Sequence, residues 1–383
     1  MPAPAAPLTI AHVAHTAEHG GAELALTRML ASDARDWQAR LVIPDRIPPG
    51  VFDGLPVELT RAGRPQPPGA AKSTPIGAAR FAWSLLRQAV ATRRSGALRG
   101  AHVAHANSTR AAVYTALALR GTRTPLVVHL RDRMEADAIG RFGLLAFRLL
   151  VAPRAAGYIA NSAATASTVR PLLRAGQFVE VIPSPLGVAP RDVPPPDGGR
   201  IRIGMVARLD PWKGQEELIR AYALAGLDDR ASLVLVGDAA FGHEAHARRL
   251  RELVGELGLR HVEFAGFRDD VQASIESLDV CVQYSTRAEP LGQNVLQYLS
   301  LGRAVIAADE GGPAEWIRNG DNGVLVAPRD VSALADALRR VSDDRDLRDR
   351  LGSAAARTPG LMSDEEVVRA HGRVFARAAA GRH

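Results

Sequence analysis

Residues 202–214 read Arg202-Ile-Gly-Met-Val-Ala-Arg208-Leu-Asp-Pro-Trp-Lys213-Gly214. After Arg202 the next five are apolar, so Arg202–Ala207 reads as a strand, and a helical pattern follows at about Gln215–Ala225. The same rhythm continues outward. Strands are expected at Ser232–Gly237, Val262–Ala265, Val280–Tyr284 and Ala304–Ala307. Helices are expected between them at about His243–Glu256, Val271–Ser277 and Asn294–Leu301. Towards the N-terminus, Leu8–Ala14, Arg40–Pro44, His102–Ala106, Pro125–His129 and Gly157–Ala160 read as strands. Helical patterns begin at about Ala22 and run over Ile76–Thr92, and Glu365–Ala379 reads as a terminal helix. Strands separated by helices predict parallel sheets covered on both faces.

A chain of 383 residues exceeds one ordinary core and suits two domains. The break falls at Ala189–Gly199, where four prolines and two glycines make a semi-rigid linker. The expected division is 1–188, a linker 189–199, a second domain 200–362 and a terminal helix 363–383. Two doubly wound domains would place a ligand between the carboxyl ends of their strands.

Hydrophobic residues make up 46% of the chain, enough for two cores. The single cysteine, Cys281, excludes an intramolecular disulfide and a multi-cysteine metal site, and it reads as a small core residue. The net charge of +7 favours anionic partners, but the basic residues are spread along the chain, which argues against nucleic acid. Only Lys72 and Lys213 among the 48 basic residues are lysine, so each draws attention in an arginine-using chain. The N-terminus lacks the basic start and apolar run of a signal peptide, and the longest apolar run, Phe142–Ala152, is too short to span a bilayer. A cytoplasmic location is expected. The helix over 76–99 carries Arg80, Arg87, Arg93, Arg94 and Arg99 among Phe81, Trp83, Leu85 and Leu86, so a peripheral contact with an anionic membrane is a further expectation.

The strongest chemical signal lies in the quoted stretch. Arg208 at a strand end and Lys213 five residues on can converge on one anion, arginine as a flat fork and lysine as a point charge. The second signal is Ser285-Thr-Arg-Ala-Glu289-Pro-Leu291-Gly292-Gln293-Asn-Val-Leu-Gln297. Here a strand ends in a turn holding a carboxylate and a glycine, and a helix begins whose N–H groups can hold phosphate or sugar oxygens. Glu289 can accept hydrogen bonds from two sugar hydroxyls, and Gly292 allows close backbone approach.

With Phe264-Ala-Gly266-Phe267 and Leu301-Gly-Arg-Ala-Val305, these two segments resemble the retaining family 4 glycosyltransferases of GT-B fold, and the resemblance covers nearly the whole chain. It implies two Rossmann-like domains, a nucleotide-diphosphate-sugar co-substrate that is UDP- or GDP-linked, and no metal or other cofactor. It assigns Arg208 and Lys213 to the diphosphate, Glu289 to the donor sugar, and Gly266, Phe267, Leu291, Gly292 and Gln293 to donor binding. It implies that the terminal helix returns to the first domain. In that domain, His19-Gly20-Gly21-Ala-Glu23 resembles the family's glycine loop beside the diphosphate, and His129 of His129-Leu-Arg131-Asp132 matches its histidine near the transferred sugar. His105, Asn107 and Arg131 are candidates for the acceptor, which would be a saccharide, a natural product or a lipid-linked molecule. One departure stands out. The family's second glutamate, which holds the ribose, is Gln297 here, so Gln297→Glu is expected to tighten the donor if that contact persists. Leu291, where phenylalanine is common, is a milder change.

Two other classes compete with sugar transfer: an epimerase or phosphorylase on the same fold, and a non-catalytic nucleotide-sugar-binding partner. A dehydrogenase is disfavoured, because the first strand leads into His15-Thr-Ala-Glu-His-Gly-Gly21 rather than Gly-x-Gly-x-x-Gly. Asp344-Arg-Asp346 reads as a solvated acidic face rather than a metal pair.

Overall fold

The computed structural model describes residues 6–45, 50–65, 75–189, 199–239 and 243–381, with the side chains at 75, 76 and 78 excepted. Lys72 and most of the proline-rich linker, 190–198, lie outside the described residues. The chain forms two units: Met1–Pro185 with Met362–His383, and Leu186–Leu361.

The first unit is built on a seven-stranded sheet. Its strands are β1 (Thr9–Val13), β2 (Gln38–Ile43), β3 (Glu58–Arg61), β4 (Val103–Ala106), β5 (Leu126–Leu130), β6 (Ala155–Ala160) and β7 (Phe178–Val181), in the order β3-β2-β1-β4-β5-β6-β7. All neighbouring pairs are parallel. The central strands are buried on both faces, which is why they read as continuous apolar runs. One face packs on Tyr114, Phe147 and the alanines of the helix Thr109–Ala118. The other packs on the terminal helix Asp364–Ala380, whose Val367, Val368, Val374, Phe375 and Ala378 recur at helical spacing and join the core of β1 and β2. That helix starts with a reciprocal cap: Glu366 N–H donates to Ser363 Oγ at 3.2 Å, and Ser363 N–H donates to Glu366 Oε2 at 2.8 Å.

The second unit holds β8 (Ile201–Val206), β9 (Ala231–Val236), β10 (Val262–Gly266), β11 (Val280–Gln283), β12 (Ala304–Ala308) and β13 (Val324–Val326) in the order β10-β9-β8-β11-β12-β13, again parallel throughout. In both sheets the strand order reverses beside the first strand, at β1/β4 and at β8/β11. The loops leaving those strands diverge there and leave room for a ligand. Cys281 is fully buried in β11. Asp344 caps the helix Arg345–Ala355 by accepting from Leu347 N–H at 2.8 Å.

Candidate active site

In the second unit the two segments singled out in the sequence follow adjacent strands, β8 and β11, at the reversal point. After β8 the chain makes one 3-10 turn, Pro211–Lys213, and enters the helix Gln215–Leu224 through Gly214. Gly214 has φ +81°, and a Cβ there would lie 1.8 Å from the carbonyl oxygen of Tyr284. Only glycine permits so close an approach. Thr286 N–H donates to the Trp212 carbonyl at 2.8 Å, fastening the two loops together.

This docking pairs Lys213 with Glu289, whose side chains are 14% and 10% exposed. Lys213 Nζ donates to Glu289 Oε1. The other carboxylate oxygen accepts from Ser285 Oγ at 2.6 Å and from Gln283 Nε2 at 2.9 Å. Burial alone would push the Glu289 carboxyl up, but the Lys213 ammonium and these hydrogen bonds outweigh it and hold the group below the usual glutamate range. Two cations approach the Trp212 ring, with Lys213 Nζ and Arg287 Cζ each 4.2 Å from its centroid. Arg208 Nη2 stands 3.9 Å from Asp210 Oδ2, with the side chain 38% exposed. Gln215 Nε2 holds the Arg208 carbonyl at 2.8 Å.

The turn after Glu289 is as constrained. Gly312 N–H donates to the Glu289 carbonyl at 2.8 Å. Gly292 has φ +70°, and a Cβ there would lie 2.5 Å from Pro313 Cγ. The helix Gln293–Ser300 starts immediately after it. Gly266 ends β10 at φ +68°, beside the 56% exposed Phe267. Leu291, a donor-binding candidate, has a side chain that is 5% exposed and packs in the core with Val295 and Leu296.

Gln297 is placed by a contact that the sequence did not reveal. Its amide Nε2 donates to the carbonyl of Leu186 at 2.6 Å, where the chain enters the unit. A carboxylate has no proton to give, so the gain expected of a glutamate at this position is withdrawn. Gln297→Glu should instead destabilise the fold by about 1–3 kcal/mol, the cost of two buried acceptors facing each other. Denaturant unfolding checks this, and an unchanged or raised midpoint would refute it.

In the first unit, the glycine loop enters the helix Gly21–Ala31 with Glu23 in its first turn. A Cβ on Gly20 would lie 2.4 Å from Glu23 Oε2. Glu23 is 4% exposed, and burial raises its carboxyl to about 7, against the opposing pull of its own backbone N–H and of Arg131. Its Oε1 lies 3.7 Å from His15 Nδ1, which also meets Ser108 Oγ at 3.0 Å. Arg131 donates from Nη2 to Asn107 Oδ1 at 2.9 Å and from Nη1 to Ser184 Oγ at 2.7 Å. Asn107 Nδ2 holds the Ala22 carbonyl at 3.0 Å, so Asn107 links Arg131 to the glycine loop. The histidine and asparagine candidates of this unit lie beneath its surface. His105, Asn107 and His129 are each fully buried. His129 is the fourth residue of β5, one short of its end, and Arg131 occupies the position just past the strand.

His105 and His129 belong to a cluster of four, with His12 on β1 and His371 on the terminal helix. His12 and His105 are register partners on β1 and β4, with their Nδ1 atoms 2.9 Å apart, and His12 Nε2 accepts from Trp37 Nε1 at 3.0 Å. The His129 ring centroid lies 5.7 Å from that of His105 and 5.3 Å from that of His371. Among the described residues, no group of three or more His, Cys, Asp or Glu side chains is placed to hold a metal ion.

Two doubly wound units, one carrying a lysine–glutamate pair and a cation-lined turn at its reversal point, define the GT-B class. The family model described as glycosyl transferase 4-like domain matches residues 20–185, and that described as glycosyl transferases group 1 matches residues 190–358. The chain belongs to the family 4 glycosyltransferases. It is similar to the lipopolysaccharide core biosynthesis glycosyltransferase LpsE of Rhizobium meliloti, at 34% identity over 43% of this chain and 47% of that one. It is also similar to a GDP-mannose-dependent alpha-(1-6)-phosphatidylinositol monomannoside mannosyltransferase of Mycobacterium tuberculosis, at 32% identity over 41% and 42% of the two chains. The chain thus spans less than half the length of these curated relatives. HepE of Anabaena, solved with UDP-glucose, superposes with a TM-score of 0.78 at 25% identity, covering 96% of this chain and 99% of that one.

Proposed function

We propose that the chain transfers a sugar from a nucleotide-diphosphate donor to an acceptor hydroxyl, with retention at the anomeric carbon and without a metal ion. The observation that carries the reading is the meeting of Lys213 and Glu289 from two segments at the β8/β11 reversal point. Lys213 and Arg208 would neutralise the charge that grows on the diphosphate as the anomeric C–O bond stretches, and the start of the helix Gln293–Ser300 would add its positive end. Glu289, held ionised, would accept from hydroxyls of the donor sugar. Gly266 and the exposed Phe267 would offer backbone and ring to the nucleoside base. The bound UDP-glucose of HepE and the GDP-mannose dependence of the mycobacterial relative support a UDP- or GDP-linked donor. The departing phosphate oxygen would take the acceptor proton, so no carboxylate pair is required.

A melting screen against UDP-, GDP- and dTDP-sugars tests donor binding, since a ligand of the folded state raises apparent stability by about 2.7 kcal/mol at a hundred times its Kd. One sugar class should raise the midpoint in excess chelator. No shift with any of them contradicts the reading.

A further inference from the structure

The first unit contains a cavity of about 470 Å³ whose lining divides by chemistry. His15, Ser108, Arg110 and Asp132 contribute the polar part of the wall. The remainder is mostly apolar: the helix Pro75–Arg94 supplies Phe81 and Leu85, and the segment 141–151 supplies Phe142, Leu145, Leu149 and Leu150. Arg110 Cζ sits 5.4 Å from the Phe81 ring centroid, between the two parts. At the polar end, His15 leads to the buried Glu23 carboxyl.

Both wall helices expose apolar stripes. On Pro75–Arg94, Trp83, Leu86 and Val90 are 63%, 47% and 48% exposed. On 141–151, Phe142, Leu145 and Leu149 are 62%, 51% and 64% exposed. Each stripe follows i, i+3, i+7 spacing, so it forms one face. Beside the first run the exposed Arg80, Arg87 and Arg94 at seven-residue intervals, and beside the second the exposed Arg141 and Arg148. Neither helix contains an aspartate or glutamate. Apolar stripes flanked only by arginine match the boundary of an anionic bilayer, where the ring and aliphatic groups enter the acyl region and the guanidinium groups meet phosphate. A stripe made for another copy of the chain would set the same arginines against each other.

We propose that this cavity binds the hydrocarbon chain of an anionic amphiphile taken from a membrane surface, with its polar head towards His15 and Arg110. Resting on the sugar-transfer reading, the occupant is the acceptor, a lipid or lipid-linked hydroxyl compound. The arginine-flanked stripes seat the unit on the bilayer, and the cavity takes the chain.

Two binding experiments on the full chain test the proposal. Dodecyl phosphate below its critical micelle concentration should bind at least about tenfold more tightly than inorganic phosphate. Ala82→Trp, at an exposed position in the cavity wall, should weaken dodecyl phosphate about tenfold or more and leave inorganic phosphate unchanged. Flotation with phosphatidylglycerol–phosphatidylcholine vesicles should recover the wild type at low salt, less at physiological salt, and the Trp83→Ser/Leu149→Ser double variant at neither. Equal affinity for the two phosphates, or an Ala82→Trp chain that binds the amphiphile normally, overturns the cavity assignment. Self-association abolished by the double variant, without vesicle binding, overturns it in favour of a copy interface. Amphiphile binding without any nucleotide-sugar shift would remove the transfer reading alone, and the reverse pattern would remove only this inference.

Discussion

Lys213→Ala is expected to lower turnover at saturating donor by roughly 10²–10³-fold, the scale for losing one preorganised charge donor. Arg208→Ala should fall in the same range. The two variants should differ in stability. Arg208 is more than one-third exposed, and its loss leaves the fold near wild type. Lys213 neutralises a buried carboxylate, so its removal strands Glu289, at a cost of up to about 3–5 kcal/mol when a buried pair is broken. Ser285 and Gln283 retain their hydrogen bonds to Glu289 and limit the damage. The double variant Lys213→Ala/Glu289→Gln separates the two roles. It should recover most of the lost stability and none of the lost turnover. A double variant that regains turnover would show that neither the Lys213 ammonium nor the Glu289 carboxylate is needed for transfer.

The second large effect is acid lability of the first unit. Burial lowers His12 to about 3 and His371 to about 4, and holds His105 and His129 well below the ordinary value, with neighbouring histidines and the Arg131 and Arg35 guanidinium groups adding to it. An unfolded chain takes up these protons near pH 6.5, and the folded chain does so only at lower pH. The stabilisation is therefore complete above about pH 6.5 and is lost as the pH falls from there towards 3. Glu23, raised to about 7, runs in the opposite sense and offsets one proton between its ordinary value and 7. With His15, which burial also lowers to about 3, five histidines against one carboxyl give a net uptake of up to four protons, a slope of about 5 kcal/mol per pH unit at its steepest. Urea unfolding at several pH values measures it, and a flat profile from pH 7 to 5 contradicts the neutral cluster.

His129→Leu adds a direct comparison of two roles. Both His129 ring nitrogens lack a hydrogen-bond partner among the described residues. An apolar side chain of similar volume should flatten the acid slope by one proton and leave turnover far above the roughly 10²–10⁴-fold loss expected on removing a general acid or base. A loss of that size would show that His129 takes part in the transfer itself.

The parallel-sheet architecture was legible because the central strands, such as Val280–Gln283 and Ala304–Ala308, are buried on both faces and read as unbroken apolar runs. Three strands escaped: Glu58–Arg61, Phe178–Val181 and Val324–Val326. All lie at sheet edges and are short; Glu58–Arg61 has no buried residue and the other two mix buried with half-buried or exposed ones, so no run announces them. The terminal helix was legible from its apolar spacing, and its return to the first unit came from the resemblance. In the site, Lys213 and Glu289 stood out through residue type and position. Their direct pairing did not, because the strand order that makes β8 and β11 neighbours is a tertiary fact. Gln297 looked like a weakened ribose contact, whereas its amide meets a backbone carbonyl 111 residues away, and backbone partners leave no trace in side-chain pattern. His129 looked like a strand-end group because the helix that covers it, carrying His371, lies more than two hundred residues further on.

The most direct measurement is single-turnover NMR of the purified chain with the nucleotide sugar that raises its melting point, a lipid-linked hydroxyl acceptor and excess chelator. The account predicts acceptor-dependent nucleotide release and a glycoside whose anomeric configuration matches the donor. An inverted product, release restored only by added metal, or nucleotide release that ignores the acceptor would contradict it.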